Sequence, residues 1–326
     1  MNSVVSLDNA TFIHSPPFYI NGLYNMPHSK YYYMFLCFVY AVTILGNTFI
    51  IGTIYLARTL HTAKYIAVLN LALSDLCGSS ALIPKYAYMF LLENQYISYE
   101  DCLTSMFFVF LFMTMQSFTL LALCFDRVIA ICFPLRYHAI VTKTTMTLII
   151  GVIWLFSVSI IAVLVGLITR LSFCRSTTVG SYFCDHGPIF RLACNDNSLN
   201  YMMAYVYIAI VLCLPLTLIA ASYVCIGVAL RKISHGAERI KAMKTCTSHL
   251  ILVAIFYLPI FSIYMVALAT YLNPNTRIIN SVLAQTIPPM LNPIIYSLKT
   301  EEVLQSIKVL YKRIKNLTLC PTALWG

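Results

Sequence analysis

Charge is what this chain has least of. Only 10% of its 326 residues are Asp, Glu, Lys or Arg, against about 25% in ordinary soluble domains. A water-soluble body of this size needs a charged surface, and 21 basic with 11 acidic side chains hardly supply one. Other absences narrow the chemistry. There is no HExxH, GxSxG or Walker A run and no pair of carboxylates inside an apolar stretch, so nothing brings a nucleophile and a base together. Enzyme function is set aside on that ground. Internal repeats with paired broken helices, the mark of many transporters, are missing as well. Residues 1–30 lack a basic region followed by a continuous apolar one, so the first long apolar run is expected to direct targeting.

What is abundant is apolar surface. Hydrophobic residues make up 60% of the chain, and they are gathered between widely spaced charges. The first charge-free interval lies between Lys30 and Arg58 and begins YYYMFLCFVYAVTILGNTFIIGTIYLA. A helix rises about 1.5 Å per residue, so a hydrocarbon layer of about 30 Å takes roughly 20 residues. Six more intervals are long enough: Tyr65 to Phe90, Cys102 to Phe125, Thr144 to Thr169, Tyr201 to Leu230, Thr245 to Tyr271 and Ile278 to Leu298. Only the first of these six contains charges, Asp75 and Lys85. The expected fold is an all-α membrane protein, a bundle of seven transmembrane helices. Residues 1–30 form an outer segment, 31–298 the bundle and 299–326 a cytoplasmic tail.

Seven crossings leave the two chain ends on opposite sides, and loop charge chooses which. Lys and Arg number 15 on the side of Arg58–Lys64, Arg127–Lys143, Arg231–Lys244 and the tail, against six on the other. The richer side faces the cytoplasm and the N-terminus lies outside. The net charge of +10 is thus a property of the cytoplasmic face, and nucleic acid is not expected as a partner. Asn9-Ala10-Thr11 is a glycosylation sequon on the outer side, whereas Asn316-Leu317-Thr318 lies inside and should stay unmodified.

Of 12 cysteines, Cys102, Cys174, Cys184 and Cys194 fall outside, where disulfides persist. Four cysteines allow three pairings. A zinc site that adds His186 is the rival reading, but the wide spacing lacks the tight CxxC pairs of structural zinc sites.

One stretch stands apart. ALCFDRVIAICFPLRYH, residues 122–138, sets Asp126 and Arg127 side by side after a 24-residue uncharged run, Cys102 to Phe125. With Gly46-Asn47, LHTAKYIAVLNLALSDL (60–76), Ser222-Tyr223, KAMKTCTSHL (241–250), Phe256-Tyr257 and PPMLNPIIYSLK (288–299), the sequence resembles the rhodopsin-like G-protein-coupled receptors. Within them it is similar to the odorant receptors. The likeness covers nearly the whole chain, and these motifs stand in the expected order. It departs in two places: Ala63-Lys64 replaces the usual Pro-Met before Tyr65, and Val128 replaces an aromatic after Arg127.

The resemblance implies roles. Asp126 would hold the Arg127 guanidinium by a charge-assisted hydrogen bond in the resting state. On activation Tyr223 and Tyr296 would turn inward beneath it, with Asn292 and Pro293 at the end of the seventh span. Asp75 is costly in lipid by at least about 2.5 to 3.5 kcal/mol and needs a partner or a proton. The resemblance puts Asn47, Asn292 and a candidate sodium ion around it; the alternative is a protonated Asp75 sharing hydrogen bonds with those amides. Pairing of Cys102 with Cys184 and of Cys174 with Cys194 is implied too. Pro215, Pro259, Pro288, Pro289 and Pro293 fall inside spans, where each removes a backbone hydrogen bond.

Ligand contact is expected in the outer halves of the third, fifth, sixth and seventh spans. Helical spacing gives Val109, Phe110, Met113 and Thr114 as one wall, Tyr207 and Val211 as a second, Tyr257, Ile260 and Tyr264 as a third, and Val282 with Gln285 as a fourth. Such a lining suits a small, uncharged or weakly polar molecule. Val109 stands where amine receptors place an Asp, so a salt bridge to a ligand amine is not available there. The tail sets Val303, Leu304, Ile307, Leu310 and Ile314 on one helical face with Lys308, Lys312, Arg313 and Lys315 elsewhere, an interfacial amphipathic helix drawn to anionic lipid. Cys320 near its end is a candidate for palmitoylation and is read as an unmodified thiol. The expected partners are an odorant, a heterotrimeric G protein of the olfactory or stimulatory type and the bilayer. The expected location is the plasma membrane of the cilia of olfactory sensory neurons.

Overall fold

The computed structural model describes residues 16–23, 26–174, 176–232, 236–268 and 273–318, without the side chains at 232, 237, 238, 241, 264–268, 299, 301 and 313–318. Asn9 and Cys320 lie outside the described residues, as do the side chains of Tyr264, Arg313, Ile314, Lys315 and Asn316.

Seven long helices form the bundle: α1 (Ser29–Leu56), α2 (Ala63–Leu91), α3 (Tyr99–Cys132), α4 (Lys143–Gly166), α5 (Ser198–Arg231), α6 (Gly236–Leu268) and α7 (Pro274–Lys299). An eighth, α8 (Glu301–Thr318), follows after a single residue. Six of them contain stretches long and apolar enough to cross a membrane. The exception is α7, which carries Pro288, Pro289 and Pro293 and many amide and hydroxyl side chains. It belongs to the bundle by packing, since it lies against α6, α1 and α2. The centre is α3, which touches α2, α4, α5 and α6. Its apolar window is 67% buried, against 28% for α1 and for α4, which turn most of their surface to lipid.

Local chemistry starts the helices. Ser98 accepts the Asp101 N–H at 3.1 Å ahead of α3, whose first turn also carries Glu100 and Asp101. Thr142 accepts the Thr145 N–H at 3.1 Å ahead of α4. Asn273 accepts the Asn275 N–H at 2.9 Å, with Pro274 in the first position of α7. Each cap satisfies an amide that has no partner inside its helix, and acidic residues complement the positive end of the α3 dipole.

Prolines explain how helices are cross-linked. The α-helical donor for the Pro289 carbonyl would be the amide of residue 293, which is proline; the Asn47 side chain on α1 donates to that carbonyl instead, at 2.9 Å. Likewise the Val211 carbonyl faces Pro215 four residues on, and Ser117 of α3 donates to it at 2.5 Å. Just there α5 widens into a π-helical turn, Ile208–Cys213, as helices do where the regular ladder is broken. Gly46 completes the α1–α7 junction, because a Cβ there would lie 2.7 Å from the Pro293 ring. A third link is polar: Asn70 on α2 donates to Thr119 on α3 at 2.8 Å and accepts from Trp154 Nε1 on α4 at 2.9 Å.

The outer end is capped by loops. Strand β1 (Phe18–Ile20) runs between β2 (Tyr96–Ile97), which it pairs antiparallel, and β3 (Thr178–Val179), which it pairs parallel. Gly22 follows β1 with φ +57 and faces the Phe90 ring, a backbone state and a space that only glycine fits. Disulfides join Cys102 to Cys184 and Cys174 to Cys194, the pairs implied by the resemblance. Loop closures of these sizes are worth about 4.5 and about 3 kcal/mol in the chain-entropy model. Tyr86 of α2 strengthens the first tether by donating to Ser105 at 2.8 Å and accepting the Cys184 N–H at 3.0 Å.

Candidate functional site

Two cavities open at opposite ends of the bundle. The outer one holds about 480 Å³ between α3, α5, α6, α7 and the loop after α4. Phe110 and Met113, Tyr207, Ile260 and Gln285 all line it, so one residue or more from each of the four expected walls reaches a common space. The remaining expected contacts whose side chains are described are placed elsewhere. Thr114, Val211, Tyr257 and Val282 are buried behind the wall in contacts between helices. Thr114 lies 3.0 Å from the Tyr207 hydroxyl, and Tyr257 lies 2.7 Å from Ser117. Val109 faces a small neighbouring void with Gln116 and Gln285. The physical reason is helix rotation: each helix shows the cavity only one narrow stripe, and spacing along the chain does not fix which.

The loop supplies a part of the lining that periodicity does not reveal. A one-turn helix, His186–Phe190, lies across the cavity, and Asp185, His186 and Arg191 line it together with Arg277 of α7. Burial pushes the Asp185 carboxyl up to about 6, against the pull of the Gly187 N–H, Arg277, Arg191 and the His186 N–H. Burial also holds the His186 imidazole down at about 4, so the ring is neutral at physiological pH. Its Nε2 is buried and has no hydrogen-bond partner among the described residues. Leaving a buried polar atom unpaired costs ~1–3 kcal/mol.

The inner cavity, about 190 Å³, is lined by Arg127, Lys64, Lys244, His249, Tyr296 and Glu302 among others. Arg127 Nε lies 3.7 Å from Asp126 Oδ2, an ion-pair distance beyond hydrogen-bond range. The charge-assisted hydrogen bond expected between them is therefore not made. Asp126 instead accepts from the Tyr137 hydroxyl at 2.8 Å, which leaves the guanidinium facing the cavity. Tyr223 points at α6: its hydroxyl lies 2.8 Å from His249 Nδ1 and donates to the Cys246 carbonyl at 3.2 Å. His249 Nε2 lies 3.0 Å from the Leu120 carbonyl. A carbonyl only accepts, so Nε2 carries a hydrogen toward Leu120. His249 thereby ties the inner part of α6 to α3 and α5 at once.

Comparison with known proteins decides the family. The model of a family described as olfactory receptor matches residues 36–313. The chain belongs to the olfactory receptor family. It is 35% identical over 280 residues to olfactory receptor 1M1 of Mus musculus, covering 86% of this chain and 89% of the relative. It is 34% identical over 280 residues to olfactory receptor 2A12 of Homo sapiens, with 86% and 90% covered. Olfactory receptor 1F1 of Homo sapiens is 33% identical over 298 residues, with 91% and 95% covered. This is a family of receptors rather than enzymes, and the chain is a multi-pass membrane protein.

Between the cavities of this receptor sits Asp75, fully buried. Gln116 of α3 donates to its Oδ1 at 2.8 Å and Asn292 of α7 donates to its Oδ2 at 2.7 Å. Asn47 does not reach it; its amide donates to the Thr43 and Pro289 carbonyls, both at 2.9 Å. The residues present do not fit a sodium ion. A hard cation needs converging oxygen donors, whereas both carboxylate oxygens here face N–H groups, and the void among Asn47, Asp75, Asn292 and Pro293 has no room for a water molecule.

Sequence reasoning missed Gln116, His249 and the cytoplasmic cluster of Lys64, Tyr65 and Glu302, and weighed His186 only as a zinc ligand. In that cluster the Glu302 carboxylate of α8 accepts from both Lys64 Nζ and the Tyr65 hydroxyl at 2.6 Å. These partners, and Lys64 above all, hold the Glu302 carboxyl low against burial, the largest influence, which pushes the other way. Thr59 and Ser306 meet at 3.2 Å beside them. Two signals were present. Gln116 and His249 are polar residues inside apolar runs, and Lys64 is one of the departures from the family pattern.

Proposed function

We propose that this receptor binds a small, uncharged or weakly polar odorant in its outer cavity and activates a heterotrimeric G protein at its cytoplasmic face. The partner is of the olfactory or stimulatory type and raises cyclic AMP, and the receptor acts at the plasma membrane of sensory cilia. One observation carries the reading: α3 and α6 border both cavities and α5 borders the outer one, and side-chain hydrogen bonds link the three helices between the two ends. Near the outer cavity these are Ser117 to Tyr257 and to the Val211 carbonyl. Near the inner one they are His249 to the Leu120 carbonyl and to Tyr223.

Such links have two arrangements, made and broken, and a ligand that prefers one shifts the balance. An odorant lodged against Tyr207 and Ile260 changes how α5 and α6 sit on α3. Release of His249 from Leu120 then lets α6 move outward, widens the inner cavity and exposes Arg127 to the G protein. Asp75 couples α2, α3 and α7 through Gln116 and Asn292, so that the three move as one body; no step runs through an ion. The test is a cyclic-AMP response screen of transfected cells against an odorant panel, with Arg127→Ala as control. The substitution is expected to abolish signalling with surface expression intact, and unchanged signalling would overturn the role given to Arg127.

A further inference from the structure

We propose that His186 is the polar anchor of the outer cavity, and that the ligand it selects is a neutral molecule with one carbonyl or hydroxyl oxygen on an apolar body. This rests on the reading of that cavity as the odorant site. His186 follows Cys184, which is bonded to Cys102 on α3, so its backbone is held directly against the bundle. Its ring packs edge-on to Phe190 at 4.9 Å, is 2% exposed and lines the cavity. The Nε2 atom has no partner among the described residues. The Tyr207 hydroxyl is already engaged with Thr114, and among the described residues His186 Nε2 is the one side-chain polar atom of the lining that is buried without a partner. A buried, unpaired nitrogen in a mostly apolar wall is therefore the group with most to gain from a ligand oxygen.

Charge decides the ligand class. The imidazole is neutral, and Asp185, adjacent in sequence, lines the same cavity. An anionic ligand at His186 would meet that carboxylate, and a cationic one would be drawn to Asp185 and away from His186. Arg191 and Arg277 are exposed at the rim, where solvent screens their charge. No intramolecular bond to Nε2 fixes the tautomer. The ring can donate to a carbonyl through Nε2–H, or exchange either role with a hydroxyl. A hydrocarbon of the same shape supplies neither partner.

The experiment uses the full-length receptor in lipid nanodiscs and two matched sets of probes: octanal, 1-octanol and octane, then benzaldehyde, benzyl alcohol and toluene. Affinity is read by equilibrium binding for wild type, His186→Phe and His186→Gln. Partition into lipid is common to all three proteins and cancels in the comparison. His186→Phe is expected to lower the preference for oxygenated probe over hydrocarbon by about tenfold to hundredfold, the factor that pairing one buried polar atom supplies. Hydrocarbon binding should be retained, which shows that the variant is folded, and His186→Gln should restore part of the preference through its amide. A preference unchanged by His186→Phe overturns the proposal. So does a wild type that binds none of the oxygenated probes, or that shows no preference because water already satisfies Nε2. Nucleotide exchange by a stimulatory heterotrimer in the same discs separates the two readings. Preference lost on substitution but no exchange with any probe sinks the receptor mechanism alone, while exchange with an unaltered preference sinks the anchor alone.

Discussion

Asn47→Ala tests the idea that side chains satisfy the carbonyls released by prolines. Asn47 is 1% exposed, and its amide bonds two carbonyls, Thr43 on its own helix and Pro289 on α7. Truncation leaves the Pro289 carbonyl buried without its donor. An unpaired buried polar group costs ~1–3 kcal/mol, but interhelical hydrogen bonds in membrane proteins average only about 0.6 and reach about 1.7 kcal/mol. The lower range governs here because the unfolded chain in a micelle finds other partners, so a loss of ~1–1.5 kcal/mol is expected. The decisive measurement is a double-mutant cycle with Pro293→Ala, which gives α7 back the amide that pairs with the Pro289 carbonyl. In that background Asn47→Ala should cost clearly less, with a coupling of ~0.5–1 kcal/mol. Unfolding of the purified receptor in mixed micelles, followed by intrinsic fluorescence as denaturing detergent is added, gives all four free energies. Equal costs of Asn47→Ala in the two backgrounds would refute the reasoning.

Gly46→Ala should destabilise the receptor, since its Cβ would sit 2.7 Å from the Pro293 ring, while Gly52→Ala on the same helix, with nothing within 4 Å, should be near neutral in the same thermal assay. His249→Phe removes the ties to Leu120 and Tyr223; ligand-independent nucleotide exchange is expected to rise, and an unchanged basal rate would count against a restraining role for these ties. The pH dependence of stability should carry the signature of Asp185, whose folded value of about 6 stands above the ordinary 3.8. The folded state then holds that proton more tightly than the unfolded one, so its stabilisation is full below about pH 3.8 and is lost as pH rises through about 6. Asp185→Asn should remove that decline, visible as a difference between the two unfolding profiles from pH 4 to 7.5. Replacing sodium by choline in a signalling assay is expected to leave the response unchanged, because the amides at Asp75 leave no oxygen cage.

Much of the fold could be read along the chain. Spacing of charges marked the spans, loop charge set their direction, and the prolines showed where backbone bonds would be missing. Loop cysteines were singled out by side of the membrane, though their pairing came only with the family likeness. The site was less legible. Phe110, Met113, Tyr207, Ile260 and Gln285 meet in one cavity, but Thr114, Val211, Tyr257 and Val282, chosen by the same spacing, turn into helix contacts. The Asp126–Arg127 pair was visible as a motif, yet the hydrogen bond to Asp126 comes from Tyr137, beyond the helix end.

The difference has a physical origin. Transfer into lipid is a sum over residues, so composition and charge spacing alone determine that this chain crosses a membrane seven times and which end faces out. Helices that are apolar on every side carry little information about their own rotation. Which carbonyl Asn47 reaches, which amides hold Asp75, and which nitrogen of the outer loop is left unpaired all depend on the rotation and height of one helix against another. Those were decided by packing: a glycine that admits a proline ring, carbonyls opposite prolines that need donors from a neighbouring helix, and a disulfide that holds His186 over the bundle.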